Sequence, residues 1–226
     1  MVGVLVLGVD TATAAVTAVL AEVTDDAVRE LSVQVAPGGQ AHGERLAPAI
    51  ERALTAAGRV PADLSAVVAG TGPGPFTGLR VGLVTATALG QALGIPTYDV
   101  CSLDAIGAAA GPGRVLVATD ARRREIYWAD YLDGVRQTGP AVDRPADVAA
   151  RVSVERAVGD GALRYADVLG LPVADEPRWP TGTALIGLAA DRVRAGAPTE
   201  PLTPRYLRRP DVTPAAAPKP VSAGER

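Results

Sequence analysis

The chain has 226 residues, 48% of them apolar and 21% charged, a globular composition with room for one large domain or two small ones. One His (His42), one Cys (Cys101) and one Lys (Lys219) exclude an intrachain disulfide, a His/Cys zinc site, Schiff-base catalysis and a lysine-bearing phosphate loop. A net charge of −3 leaves no overall electrostatic footprint for nucleic acid.

Met1 leads straight into an apolar run that Asp10 ends, far short of the roughly 20 residues of a membrane span, so a cytosolic (cytoplasmic) chain with no membrane contact is expected. Gly3 to Val9 is rich in Val and Leu, and Asp10-Thr11-Ala12-Thr13 turns it into a second strand, Ala14 to Val23. The pattern predicts a hairpin whose first strand is buried on both faces. Ala27 to Ala36 alternates apolar and polar residues, a third strand that Pro37-Gly38-Gly39 breaks. His42 to Ala57 places Leu46, Ala49, Ile50, Ala53 and Leu54 at helical spacing, with Gly58 as the C-terminal cap. A short strand, Leu64 to Ala69, precedes a Gly-Pro cluster. Thr77 to Leu93 then predicts a helix capped by Thr77, whose small residues Gly78, Gly82, Ala86 and Gly90 form a face open to close approach by another helix. Thr97 to Val100 is a strand, and Ser102 caps a helix through Ala110.

Gly111-Pro112-Gly113 reads as a linker, because Val115 to Asp120 repeats the pattern of Val4 to Asp10, an apolar strand closing on Asp. Glu125 to Leu132 is the returning strand. Weaker elements follow at Arg156 to Val158 and in a helix from Thr183 to Arg194. These features predict an α/β fold of two tandem units from an internal duplication: residues 1–110, a degenerate second copy at 111–212, and a disordered tail at 213–226.

The least generic passage is Gly70-Thr71-Gly72-Pro73-Gly74-Pro75-Phe76-Thr77-Gly78-Leu79-Arg80-Val81-Gly82. Alternating Gly and Pro make a tight, rigid turn into a helix whose N-terminus suits an anion. Gly78-Leu79-Arg80 stands where a Walker loop has Gly-Lys-Ser/Thr, and Pro75 replaces the third glycine of a dinucleotide fingerprint. A rigid turn that only packs two elements and a mouth for an anion both remain open.

This passage resembles the signature of the TsaB family, bacterial proteins needed to make threonylcarbamoyladenosine beside the anticodon of ANN-decoding tRNAs. Leu7 to Thr13, His42 with Leu46, Asp120-Ala121-Arg122 with Glu125-Ile126-Tyr127, and Pro204 to Arg208 resemble further family segments in order. The resemblance implies two ribonuclease-H-like domains of the actin-like ATPase superfold. It also implies an inactive paralogue of TsaD, a scaffold that pairs with TsaD through helices of the first domain and supports the ATPase TsaE, meeting tRNA only through the complex. No cofactor of its own is expected, no metal site and no catalytic residue; ATP and a metal ion belong to the partner subunits.

Apolar helix surface beyond what one sheet face covers suggests an interface at Leu46, Ile50, Phe76, Leu79, Leu83 and Thr87, with Arg45 and Arg80 at its edge. Two isolated copies could pair through the same helices. Asp10, Thr11, Gly72, Gly74 and Thr77 would line a vestigial phosphate or nucleotide loop, with Asp10 either a former metal-orienting carboxylate or a turn former. His42 reads as solvated or capping, Cys101 as a small buried hydrophobe, and Arg122-Arg123-Arg124 as a solvated hairpin tip or a contact for tRNA phosphate or TsaE. The competing reading is a stand-alone enzyme, a peptidase or small-molecule kinase. One His and an arginine-filled second half argue against it.

Overall fold

A computed structural model describes residues 3–38 and 41–208; the tail expected at 213–226 lies outside them. β1 (Val4–Asp10) pairs antiparallel with β2 (Ala15–Val23), and β2 with β3 (Val28–Pro37). β4 (Ala66–Gly70) joins the other side of β1 in parallel and β5 (Thr97–Val100) extends it, giving the order β3-β2-β1-β4-β5. The second sheet repeats this plan. β6 (Arg114–Asp120), β7 (Ile126–Leu132) and β8 (Val135–Asp143) form an antiparallel meander, and β9 (Arg156–Val158) runs parallel to β6, in the order β8-β7-β6-β9. The duplication read from two Val/Leu runs ending in Asp is therefore a duplication of sheet topology.

β1 is buried on both faces, as its unbroken apolar run predicts. Leu5, Leu7 and Val9 meet α1 (His42–Ala56) and α2 (Phe76–Leu93) through Leu46, Ile50, Leu79 and Leu83. The opposite face, with Val6, Val19 and Val68, is covered late in the chain by α7 (Gly182–Gly187) and α8 (Ala190–Arg194) through Leu185, Ile186 and Val193. Gly8 leaves room for this cover, since a Cβ there would lie 3.1 Å from Ile186 Cγ1. Between the sheets, α3 (Ser102–Ala109) turns Ala105 toward the first sheet and Leu103 and Ile106 toward the second. The outer face of the second sheet is closed by α4 (Pro145–Ala149), α5 (Asp160–Arg164) and α6 (Ala166–Leu169) with Val148, Ala162 and Leu169.

Three sequence expectations are corrected, and one strand, β8, is added. The helix expected over 183–194 is two, broken beside Gly187, a poor helix former. β8 carries no clear alternation because Gly139 and Pro140 interrupt it, which an edge strand tolerates. α2 begins at Phe76 with Pro75 as N-cap, and Thr77 is exposed and caps nothing. Cys101, not Ser102, precedes α3 as its N-cap, and the Ser102 hydroxyl is used elsewhere.

The small-residue face of α2 receives a turn rather than a helix. Thr11 Oγ1 donates to the Gly78 carbonyl at 2.8 Å and accepts the Gly82 amide at 2.9 Å, the two ends of one i→i−4 step. A Cβ on Gly82 would lie 2.6 Å from that oxygen, so the β1–β2 turn reaches the helix backbone only where side chains are missing. Thr11→Val keeps the shape and removes the hydroxyl from a buried site. It should cost about 1–3 kcal/mol in urea denaturation, whereas Thr11→Ser should retain most of the stability.

Candidate functional site

The Gly-Pro loop, the β1–β2 turn and the start of α3 converge on Asp10, which is 1% exposed. Its Oδ1 accepts the Ala12 amide at 2.9 Å, the turn-forming role of an Asp at a strand end. Oδ2 accepts the Ser102 hydroxyl, whose oxygen in turn accepts the Gly72 amide at 3.1 Å. Burial raises the Asp10 carboxyl to about pH 6, opposed by these two bonds and by nearby His42. The space is closed on every side. A Cβ on Gly70 would fall 1.7 Å from Asp10 Oδ2, and one on Gly74 would fall 2.2 Å from the Ala12 carbonyl oxygen. The loop mouth that the sequence leaves open to an anion is thus filled by the chain's own turn. Of the five residues expected there, Asp10, Thr11, Gly72 and Gly74 come together, and Thr77 points away to solvent.

His42, the first residue of α1, is buried rather than solvated. Its Nε2 lies 2.9 Å from the Thr13 carbonyl, which only accepts, so Nε2 carries the hydrogen and ties α1 to the β1–β2 turn. Cys101 is buried as expected, and burial pushes its thiol up.

The segment 199–208 straps the two halves. Glu200 donates its amide to the Thr97 carbonyl at the edge of the first sheet. Arg205 donates its amide to the Thr71 carbonyl and Nε to Thr71 Oγ1, and pairs with Asp99 at 2.9 Å. Tyr206 stacks on Phe76 with centroids 5.1 Å apart, while the Arg80 guanidinium lies 3.7 Å over Phe76 and donates to the Tyr206 hydroxyl. Arg208 reaches the second half, donating to the Ala121 carbonyl and pairing with Glu125.

In the second half, Asp120 stands at the position of Asp10, but Arg164 pairs with it at 3.0 Å and the Arg122 amide donates to it. Arg122, Arg123 and Arg124 have φ of 61°, 53° and 62°, a left-handed turn at about 1–2 kcal/mol per residue. No residue-type signal foretold it, since glycine or asparagine usually fills such positions. Asp160, at the start of α5, has a buried Oδ1 without a partner, and burial together with the charge of Asp120 raises its carboxyl to about pH 6. Thr13, Ala14, His42 and Pro75 face Asp120, Arg122, Arg123 and Arg164 across a cleft of about 430 Å³.

The expected interface residues divide sharply. Leu46, Ile50, Leu79 and Leu83 lie in the core under the first sheet and offer no surface, because helical apolar spacing marks the inward face first. Arg45 donates to the Pro37 carbonyl at the end of β3. Phe76 and Arg80 are held in the Tyr206 stack, and Thr87 is exposed. Sequence reasoning passed over Val84, which is 65% exposed on the outer face of α2.

Two sheets of shared topology, each with its first strand closing on an Asp beside a common cleft, define a ribonuclease-H-like pair of the actin-like ATPase superfold. A family model described as TsaD, tRNA N6-adenosine threonylcarbamoyltransferase, matches residues 16–192, and the chain belongs to that family, among its TsaB members. An uncharacterised Mycobacterium tuberculosis protein is 49% identical over 213 residues, covering 93% of this chain and 95% of that protein. The Escherichia coli tRNA threonylcarbamoyladenosine biosynthesis protein TsaB is 35% identical over 130 residues, covering 56% and 54%. YeaZ from Pseudomonas aeruginosa superposes with a TM-score of 0.70 at 27% identity, covering 90% of this chain and all of that one.

The folded state holds the Asp10 proton more tightly than the unfolded chain does. Its contribution to stability is therefore full below the unfolded pKa near 3.8 and is lost as pH rises through about 6. Asp10→Asn removes this term. Urea denaturation should show the variant gaining about 2 kcal/mol relative to the parent between pH 4.5 and pH 7.5.

Proposed function

We propose that the chain is a non-catalytic scaffold subunit of the assembly that installs the threonylcarbamoyl group on adenosine next to the anticodon of ANN-decoding tRNAs. It pairs with a TsaD homologue and supports a TsaE homologue. Its relatives named TsaB supply the pathway. The observation that carries the accessory role is the commitment of both strand-end carboxylates. Asp10 is enclosed by Ser102 and Ala12, and Asp120 is held by Arg164 and the Arg122 amide. A small-molecule kinase needs such carboxylates turned toward metal and phosphate. A peptidase needs an activated nucleophile with its base, and the one hydrogen bond of the His42 ring joins it to a backbone carbonyl and not to a hydroxyl or thiol. ATP and a metal ion then belong to the partner subunits.

Pairing is assigned to the outer face of α2, where Thr77, Arg80, Val84, Thr87 and Gln91 are exposed at helical spacing. No helix among the described residues is long and apolar enough to cross a membrane.

With tRNA, ATP and threonylcarbamoyl-adenylate, the purified chain alone should yield no modified adenosine, and adding the TsaD and TsaE homologues should restore it. Modification by the chain alone would overturn the scaffold reading. Val84→Arg should abolish co-elution with the TsaD homologue at unchanged Tm. Leu83→Arg, at a position 5% exposed in the core, should instead unfold the chain.

A further inference from the structure

The two sheets present four edges, and β5, β8 and β9 guard theirs. β5 is covered by the closing segment, where Glu200 donates its amide to the Thr97 carbonyl and the Thr97 amide donates to Thr199 Oγ1. β9 is flanked by Val173, which bridges Ala157 in parallel. β8 is interrupted by Gly139-Pro140 and by shifts of register against β7. Prolines, bulges and covering segments are the usual guards of a strand that could otherwise pair with another chain. β3, ten residues long and at the border of the first sheet, carries no such guard over residues 32–36 among the described residues.

The direction of its peptide groups follows from one bond. Gly38 donates its amide to the carbonyl of Ala14, the residue that the β2–β3 register brings opposite it. Hydrogen-bonded pairs alternate along an antiparallel ladder, so Ala36, Gln34 and Ser32 turn their N–H and C=O groups toward β2, and Val35 and Val33 turn theirs away. Among the described residues these outward groups have no backbone partner. The two valine side chains share one face of the strand and are 39% and 45% exposed. The open stretch is bounded at both ends. The register against β2 shifts at Leu20/Ala21, beside Leu31, and Pro37 has no N–H to give.

The midpoint of this stretch is Gln34. We infer that two copies of the chain pair antiparallel along β3, about a two-fold axis at Gln34, and join their five-stranded sheets into one. In that register Val33 faces Val35 of the second copy on both sides of the axis, forming four backbone hydrogen bonds and two valine contacts, and Ser32 faces Ala36. Charge agrees with this direction. Exposed Glu30 approaches the end of the second copy's strand where Arg45 donates to the Pro37 carbonyl, and symmetry repeats the match. The covered edge at β5 keeps the joined sheet from growing, so pairing closes at two copies. The proposal stands apart from the scaffold role, since it uses β3 and not the outer face of α2.

Sedimentation velocity on the full chain alone, over a range of concentrations, should show a monomer–dimer equilibrium. Val35→Pro removes one outward N–H from each copy, two of the four bonds, and should weaken the dimer at least about tenfold. Val33→Lys should weaken it by at least about as much at unchanged Tm, because the side chain is exposed in the monomer and meets apolar side chains only in the dimer. Val84→Arg should leave the dimer intact. Gln34→Cys reads the register. At the axis its two Cα atoms would lie about 4.5 Å apart, within disulfide reach, so copper phenanthroline should cross-link it several times faster than Arg29→Cys at the strand's end; the native Cys101 is buried. A chain monomeric at every concentration would overturn the proposal. So would a dimer lost in Val84→Arg, a dimer unaffected by Val33→Lys, or equal cross-linking of the two cysteine variants. Each reading uses the chain without TsaD or TsaE homologues, so its failure is separable from failure of the scaffold role.

Discussion

The hydroxyl of Ser102 donates to Asp10 while its oxygen accepts the amide of Gly72, so one side chain joins the end of β1, the Gly-Pro loop and the start of α3. The arrangement works only because Gly70 has no side chain in the space the carboxylate takes. Around it, the β1–β2 turn is pressed between Gly74 on one side and the backbone of α2 on the other, with Thr11 bonded to Gly78 and Gly82. A buried carboxyl group is costly in its charged form, and the bonds from Ser102 and the Ala12 amide offset part of that cost. The consequence is a rigid joint where β1, the Gly-Pro loop and α3 meet.

The two halves have used the same topology differently. In the first, the strand-end Asp is enclosed by glycine-lined packing and faces no solvent. In the second, Asp120 is neutralised by Arg164, and three strained arginines project from the turn beside it. The cleft between the halves thus has a neutral wall opposite a cationic wall. The residue scarcity in the composition, one His, one Cys and one Lys, describes the same molecule: charge is carried by arginine, and arginine here shapes a surface and a brace.

How much of this was legible depends on whether the signal was local. β1, β2, β3, α1 and β5 could be read closely because apolar period and breakers coincide there, and the duplication because two Val/Leu runs end in Asp. β8 was hidden since an edge strand needs no alternation, and α4, α5 and α6 since helices of four or five residues carry too little pattern. Leu46, Ile50, Leu79 and Leu83 were correctly marked as apolar, but periodicity identifies a buried stripe without saying what buries it. The left-handed arginines and the strap through Arg205 and Arg208 depend on contacts across most of the chain, which no window of sequence contains.

The covering of the first sheet by α7 and α8 bears on synthesis. Residues 185 to 193 complete a core begun at Val6, so the first sheet keeps one apolar face bare until nearly the whole described chain has left the ribosome. Such long-range closure slows folding and lengthens the time in which nascent chains can associate wrongly. A nascent chain stalled between the two sheets would be a substrate for chaperones or proteases, and the cell would meet this protein as all or nothing.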